Sequence, residues 1–144
     1  MNFAENKKAR YSYETLESFE GGIVLTGQET KAVREGGANL LGSYLGFEKG
    51  ALWLRHASIR PYSKAGKLKD YQPDHDRKIL MHKQELERLF GKIQQKGLTL
   101  VPFSLYPHGR QIKLSFGLCR GKTTHDKRAS LRQRDIERDM RFDM

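Results

Sequence analysis

The chain has 144 residues, a length that serves one hydrophobic core rather than two, and its 27 basic and 17 acidic side chains leave a formal net charge of +10. Its single cysteine, Cys119, excludes an internal disulfide and any multi-cysteine zinc site, and reads as a small apolar residue ending a strand. No apolar run approaches the roughly 20 residues of a membrane span, and Met1 to Arg10 lacks the hydrophobic segment of a signal peptide, so a cytoplasmic protein with no membrane partner is expected.

The charge is spread over the whole chain. Residues 1–119 carry 19 Lys or Arg against 12 acids, and the remaining 25 residues carry 8 against 5. A basic body points to a polyanion, because each cation that neutralises a phosphate releases a condensed counterion. The plain alternative is a soluble protein of high isoelectric point.

In chain order, Met1 to Arg10 is polar with Lys7, Lys8 and Arg10 clustered behind Asn6, and is expected to be a mobile basic arm. Tyr11, Tyr13, Leu16 and Phe19 lead into Gly21-Gly22-Ile23-Val24-Leu25, a strand-rich stretch whose glycines permit a bend. Thr26-Gly27-Gln28-Glu29 has capping-box spacing, which predicts a short helix from about Gly27 to Glu35 stopped by Gly36 or Gly37. Leu40 to Phe47 and Ala51 to Ile59 form a predicted hairpin around Glu48-Lys49-Gly50, with Leu45, Phe47, Leu52 and Leu54 inward. Trp53 falls on the other parity, as a stacking platform for a base or as a cover for the barrel floor under a helix.

Pro61 to Lys78 holds Lys64, Lys67, Lys69, Arg77 and Lys78 with almost no aliphatics, and reads as a long basic loop. Leu86, Leu89, Phe90 and Ile93 stand at i, i+3, i+4 and i+7, so His82 to Lys96 is a predicted amphipathic helix ending at Gly97. From Val101 to Phe116, apolar residues alternate on both sides of Pro107-His108-Gly109, the period of a hairpin with one buried face. Leu98 and Leu100 are on the opposite parity to Val101, which requires one extra residue, a bulge, near Pro102. These elements predict a mainly β fold: an OB-fold-like antiparallel Greek-key barrel with two or three helices, an open α+β sheet being the rival. The expected organisation is a basic N-terminal arm over residues 1–10, a barrel over 11–120 and a basic C-terminal tail over 121–144. In the tail, Ala129, Ile136 and Met140 give a thin helical stripe, so it is expected to be unstructured when free and helical only against a partner.

No catalytic constellation can be argued from this order of residues. Asp74-His75-Asp76 invites a metal-dependent phosphodiesterase, but neighbours in a loop point in different directions and Pro73 marks a turn where Asp is common. No Gly-rich phosphate loop is present, and neither a metal nor a cofactor is expected. A basic body with interleaved aromatics fits folded RNA read by its backbone; a generic single-strand-binding barrel is the alternative.

Several stretches together resemble the SsrA-binding protein family, also called small protein B: Asn6-Lys7-Lys8-Ala9-Arg10, Phe19 to Gly27, Arg77-Lys78-Ile79-Leu80, Lys96 to Pro102 and Asp126-Lys127-Arg128. The resemblance implies a non-enzymatic OB-fold protein that binds the tRNA-like part of transfer-messenger RNA (SsrA). It would escort that RNA, carrying elongation factor Tu, to stalled ribosomes for trans-translation. On the family pattern, Asn6, Lys7, Lys8, Arg10, Glu20, Leu80 and Lys113 fall in the RNA-binding region. Lys122, His125, Asp126, Lys127 and Arg128 match the tail that enters the vacant small-subunit decoding centre and message channel. Taken alone, Lys113 is equally a solvated strand lysine and Leu80 a core residue, while Glu20, a poor phosphate ligand, suits a base, a ribose or the barrel's bend. The sequence departs from the pattern at Thr30, Gly37 and Thr123, where larger aliphatic or lysine side chains are usual.

Overall fold

The structure, a computed structural model, describes residues 2–121. The predicted tail beyond Gly121, with its conditional helix, lies outside the described residues. Among them the architecture is mainly β: a seven-stranded antiparallel sheet of order β1-β8-β9-β2-β7-β5-β4, a two-stranded sheet β3-β6, and three helices. The strands are β1 (Ala4–Glu5), β2 (Tyr13–Ile23), β3 (Ala38–Asn39), β4 (Tyr44–Glu48), β5 (Ala51–Arg55), β6 (Ser58–Ile59), β7 (Arg77–Leu80), β8 (Leu98–His108) and β9 (Gln111–Gly121). The helices are α1 (Lys7–Ser12), α2 (Gly27–Arg34) and α3 (Lys83–Ile93). The sheet curls until β4 touches β8, yet its end strands β1 and β4 are not hydrogen-bonded to each other among the described residues. It is an OB-fold-like barrel left partly open.

The parity of the strands decides which side faces the core. In β9, Ile112, Leu114, Phe116 and Leu118 point inward, and Phe116 stacks on Phe19 of β2 at 5.7 Å between ring centroids. Between Pro102 and Ser104 the β8–β9 register slips by one, so Leu98, Leu100 and Leu105 all reach the same core. The bulge expected near Pro102 is therefore present; the hairpin turn sits at Gly109-Arg110 rather than at Pro107-His108-Gly109, since Pro107 and His108 still pair with Ile112 and Gln111, and Gly109 at φ +62 supplies the left-handed residue. In the β4–β5 hairpin, Leu45, Phe47, Leu52 and Leu54 are all buried, and the turn residues Lys49 and Gly50 take φ of 50 and 74.

Helices α2 and α3 close the inner side. Thr26 Oγ1 accepts from the Glu29 amide at 3.2 Å while Glu29 Oε1 accepts from the Thr26 amide at 3.1 Å, the reciprocal cap expected of this spacing and a contribution of about 1 kcal/mol. Gly36 at φ +88 ends the helix. At Gly37 an added Cβ would lie 2.9 Å from the Ala32 carbonyl oxygen and 2.8 Å from Arg60 Cγ, so the lysine usual in the family pattern has no room here. On α3, Leu89 and Ile93 are fully buried, each stabilising by about 1.5–3 kcal/mol, and Phe90 meets Phe47 edge-on. The helix is shorter than expected, Lys83–Ile93 rather than His82 to Lys96.

Three expectations need correction. The first ten residues are not a free arm: Ala4 and Glu5 pair with Leu105 and Ser104, and α1 packs Ala9 on Tyr13, Val101 and Cys119. The long basic loop ends before Arg77 and Lys78, which begin β7; Arg77 and Ile79 face inward, Lys78 and Leu80 outward. Trp53 lies on the face opposite α3, half-buried, its indole Nε1 donating to the Glu48 carbonyl at 3.3 Å.

Candidate nucleic-acid interface

The outward parity of four adjacent strands assembles one row. Leu80 of β7 stands opposite Gly22 of β2, Gly22 opposite Lys113 of β9, and Lys113 opposite Tyr106 of β8. Gly22 has no side chain, so Leu80 and Lys113 border a shallow floor; Leu80 is 53 % exposed, unusual for a leucine in a strand. Beside this row Lys78 and Trp53 pair on the same outward face, and Val24, bonded through its amide to the Lys78 carbonyl, is exposed.

Glu20, two residues before Gly22 on the same face, is held within the sheet. The Tyr106 hydroxyl donates to Glu20 Oε2, and Lys113 Nζ lies 3.9 Å from Oε1. The Tyr106 bond, then the Lys113 charge, hold the Glu20 carboxyl below its ordinary value. Burial, reinforced by Glu20, pushes the Tyr106 phenol up to about 12. Glu20 thereby ties β2 to Tyr106 of β8 across β9, with the Lys113 ammonium beside it.

Farther along the same outer face, α1 covers the sheet beyond the bulge. Asn6 is buried at the start of α1; its amide donates to the Phe103 carbonyl at 2.7 Å and its Nδ2 to the Pro102 carbonyl at 3.0 Å. Asn6 therefore locks the N-terminal segment onto the bulge. Lys7 and Lys8 are exposed on α1, and Arg10 belongs to the same helix. Glu5, Asn6, Lys7, Tyr11 and Phe103 line a cleft of about 350 Å³, in which Tyr11 is 79 % exposed. A cation, an exposed phenol ring and a half-buried phenyl ring around one cleft suit a phosphate beside an unstacked base.

The structure thus brings Glu20, Leu80 and Lys113 together and places Asn6, Lys7 and Lys8 at the α1 end of that face. Lys122, His125, Asp126, Lys127 and Arg128 lie outside the described residues. Tyr106, Val24 and the Tyr11–Phe103 pair are not singled out by the sequence, and Lys78 is read there only as part of a basic loop and of a matched stretch. Strand parity with Lys113 carries the signal for Tyr106, whereas the cleft depends on α1, a helix where the sequence pattern suggests only an arm.

Of Asp74, His75 and Asp76, the last two serve separate contacts. His75 Nε2 is 2.8 Å from Glu29 Oε2, and Asp76 Oδ2 is 3.6 Å from Arg55 Nε. Among the described residues no group of three or more His, Cys, Asp or Glu side chains is placed to hold a metal ion, and no helix is long and apolar enough to cross a membrane.

Comparison with known proteins matches this chain to one family. The family model described as SmpB protein matches residues 3–144. The SsrA-binding protein of Nostoc sp. is 46% identical over 136 residues, 94% of this chain and 88% of that protein. The SsrA-binding protein of Carboxydothermus hydrogenoformans is 45% identical over 137 residues, 95% of this chain and 91% of that protein. A solved structure described as "tmRNA-SmpB: a journey to the center of the bacterial ribosome" superposes with a TM-score of 0.68 at 44% identity, covering 90% of this chain and 94% of that one.

Proposed function

This chain belongs to the SmpB protein family, and we propose on that premise that it binds the tRNA-like part of transfer-messenger RNA and brings it to stalled ribosomes for trans-translation. It acts without catalysis, in the cytoplasm, on an RNA that also carries elongation factor Tu. The observation that carries the reading beyond the family match is the outward row Leu80–Gly22–Lys113–Tyr106, flanked by Glu20 on one side and by α1 at the far end of the face. Strands present a rigid surface, and a rigid surface with an apolar patch, an ammonium and a flanking aromatic cleft suits a folded RNA whose loops offer unstacked bases.

The tail residues Lys122, His125, Asp126, Lys127 and Arg128 complete the proposal as the segment that occupies the vacant decoding centre and message channel. Competition at one salt concentration tests the reading. A tRNA-like RNA should displace a bound labelled RNA at concentrations at least tenfold below those of an unstructured RNA of equal length. Equal competition would instead give the generic single-strand-binding barrel.

A further inference from the structure

The proposed RNA face uses the outward parity of β7, and a second cationic surface stands on the other side of that strand. Arg77, on the inward parity, bonds to Glu29 of α2, so α2 and the loop packed against it lie on the side away from Leu80. That loop, residues 60–76, is tied down at several points. The Ile59 amide donates to the Pro73 carbonyl at 2.9 Å, the Tyr71 hydroxyl to the Ile59 carbonyl at 2.7 Å, and the Tyr62 amide to Gln28 Oε1 at 2.9 Å. Ser63 gives both its amide and its hydroxyl to Glu35, at 3.1 and 2.9 Å.

Between these ties Lys64, Lys67 and Lys69 are exposed, and no ion pair or hydrogen bond among the described residues engages their side chains. Lys31 extends the surface, its Nζ seated 5.6 Å from the Tyr62 ring centroid. Of the nearby acids, Glu35 is occupied by Ser63 and Arg60, which leaves Asp70 and Asp74. Three exposed lysines within six residues of chain, on a loop pinned at both ends, suit an anionic backbone rather than a single small anion.

We infer that the loop carrying Lys64, Lys67 and Lys69, with Lys31 of α2, is a second phosphate-backbone contact, made to ribosomal RNA while the outer face holds the delivered RNA. This rests on the proposed function above.

The test replaces the three loop lysines together (Lys64→Gln, Lys67→Gln, Lys69→Gln) in the full chain and compares two bindings with the unaltered protein. One is binding of the isolated tRNA-like RNA; the other is co-sedimentation of the protein–RNA complex with ribosomes across a salt series. The expected result is tRNA-like RNA binding within about twofold and ribosome association weakened about tenfold. Its log–log salt slope should be shallower by about 2, from ~0.7–0.9 counterions per lost phosphate contact. The matching triple replacement by arginine should restore the association. Unchanged ribosome association, or an equal fall in both bindings, overturns the inference. Failure of the underlying function shows separately, as no preference for tRNA-like RNA in the unaltered protein.

Discussion

Arg77 Nη2 lies 2.6 Å from Glu29 Oε2, and both side chains are within 1 % of complete burial. The two residues join α2 to β7, and polar groups of neighbouring elements are drawn in. Arg77 Nη1 donates to the Ala57 carbonyl at 2.8 Å, the Tyr71 hydroxyl oxygen lies 3.1 Å from Glu29 Oε2, and His75 Nε2 lies 2.8 Å from the same oxygen. A charge pair taken this far from water is stable only when its remaining lone pairs and protons are satisfied, and here they are. The cluster sets where β7 leaves the loop, and thus where Leu80 and Lys78 emerge on the outer face.

Removing one partner strands the other. Glu29→Ala leaves a buried guanidinium without its carboxylate and also removes half of the helix cap, so an unfolding free energy lower by about 3–5 kcal/mol is expected in urea titrations. Arg77→Met should cost a comparable amount. The double variant should cost clearly less than the sum of the two, since the pair acts as one unit.

Acid should reach the same cluster. Burial raises the Glu29 carboxyl, but the bonds from Arg77, the Thr26 amide and His75, with the Arg77 charge, outweigh it and lower the group from 4.5 to about 2. A carboxyl depressed in the folded state contributes stability that is complete above its unfolded value and is lost as the pH falls through the folded one. Urea midpoints should therefore decline between about pH 4.5 and pH 2. Glu17, lowered by its bond from Lys92, adds to the decline in the same direction. Glu29→Gln removes one titration, so its profile across this window should be flatter than that of the unaltered protein.

The cluster also marks the limit of what the amino-acid order discloses. Local patterns are legible: the Thr26/Glu29 cap, both hairpins, the α3 stripe and the extra residue near Pro102 are each contained within a few neighbouring positions. Glu29 and Arg77 are 48 residues apart, and nothing local says that a basic residue at the end of a lysine-rich loop has a buried carboxylate to meet. The alternation Arg77, Lys78, Ile79, Leu80 does hold the clue, because parity sets Arg77 with the buried Ile79 and Leu80 with the exposed Lys78. Asn6 is hidden for the same reason: its carbonyl partner at Pro102 is 96 residues away. Of the interface, strand parity alone puts Lys113 on the outward side of its hairpin, while the family resemblance, not the residues, singles out Glu20 and Leu80.

Two adjacent glycines should respond in opposite ways. A Cβ on Gly21 would lie 2.7 Å from Ile79 Cγ2 and 3.0 Å from the Leu80 carbonyl oxygen, a β-branched core side chain and a backbone atom that cannot easily give way. Gly21→Ala is expected to destabilise by about 1–3 kcal/mol, and to weaken RNA binding by displacing Leu80. A Cβ on Gly22 meets only Leu80 Cβ, at 3.7 Å. Gly22→Ala should unfold within about 0.5 kcal/mol of the unaltered protein while still weakening binding, because the methyl group rises from the floor between Leu80 and Lys113. Denaturation and RNA titration on the same two preparations separate the cases.

Lys113 and Tyr106 can be read through Glu20. Lys113→Ala should weaken binding of the tRNA-like RNA and make its log–log salt slope shallower by about 1, as the loss of one phosphate contact requires. Tyr106, with its phenol pushed up to about 12, should be a late component in an absorbance titration of the tyrosines. Burial is the larger cause and Glu20 the next, so Glu20→Gln should bring that component down only part of the way toward 10.

The proposed division of labour between body and tail predicts a dissociation of two activities. Deleting residues 122–144 removes seven basic and five acidic side chains, a net loss of +2 from +10, so the body keeps most of its electrostatic attraction. Binding of the tRNA-like RNA should stay within about threefold, whereas tagging of peptides on stalled ribosomes should be abolished. A single substitution sharpens the test. Ile136 and Met140 stand four residues apart, and Glu137 precedes Arg141 by the same interval, so a helix formed on the ribosome would run through position 136. Ile136→Pro leaves charge unchanged but costs such a helix about 3 kcal/mol. Tagging should then fall on the order of a hundredfold with RNA binding intact; equal loss of both activities, or loss of neither, would count against a tail that orders itself only in the ribosome.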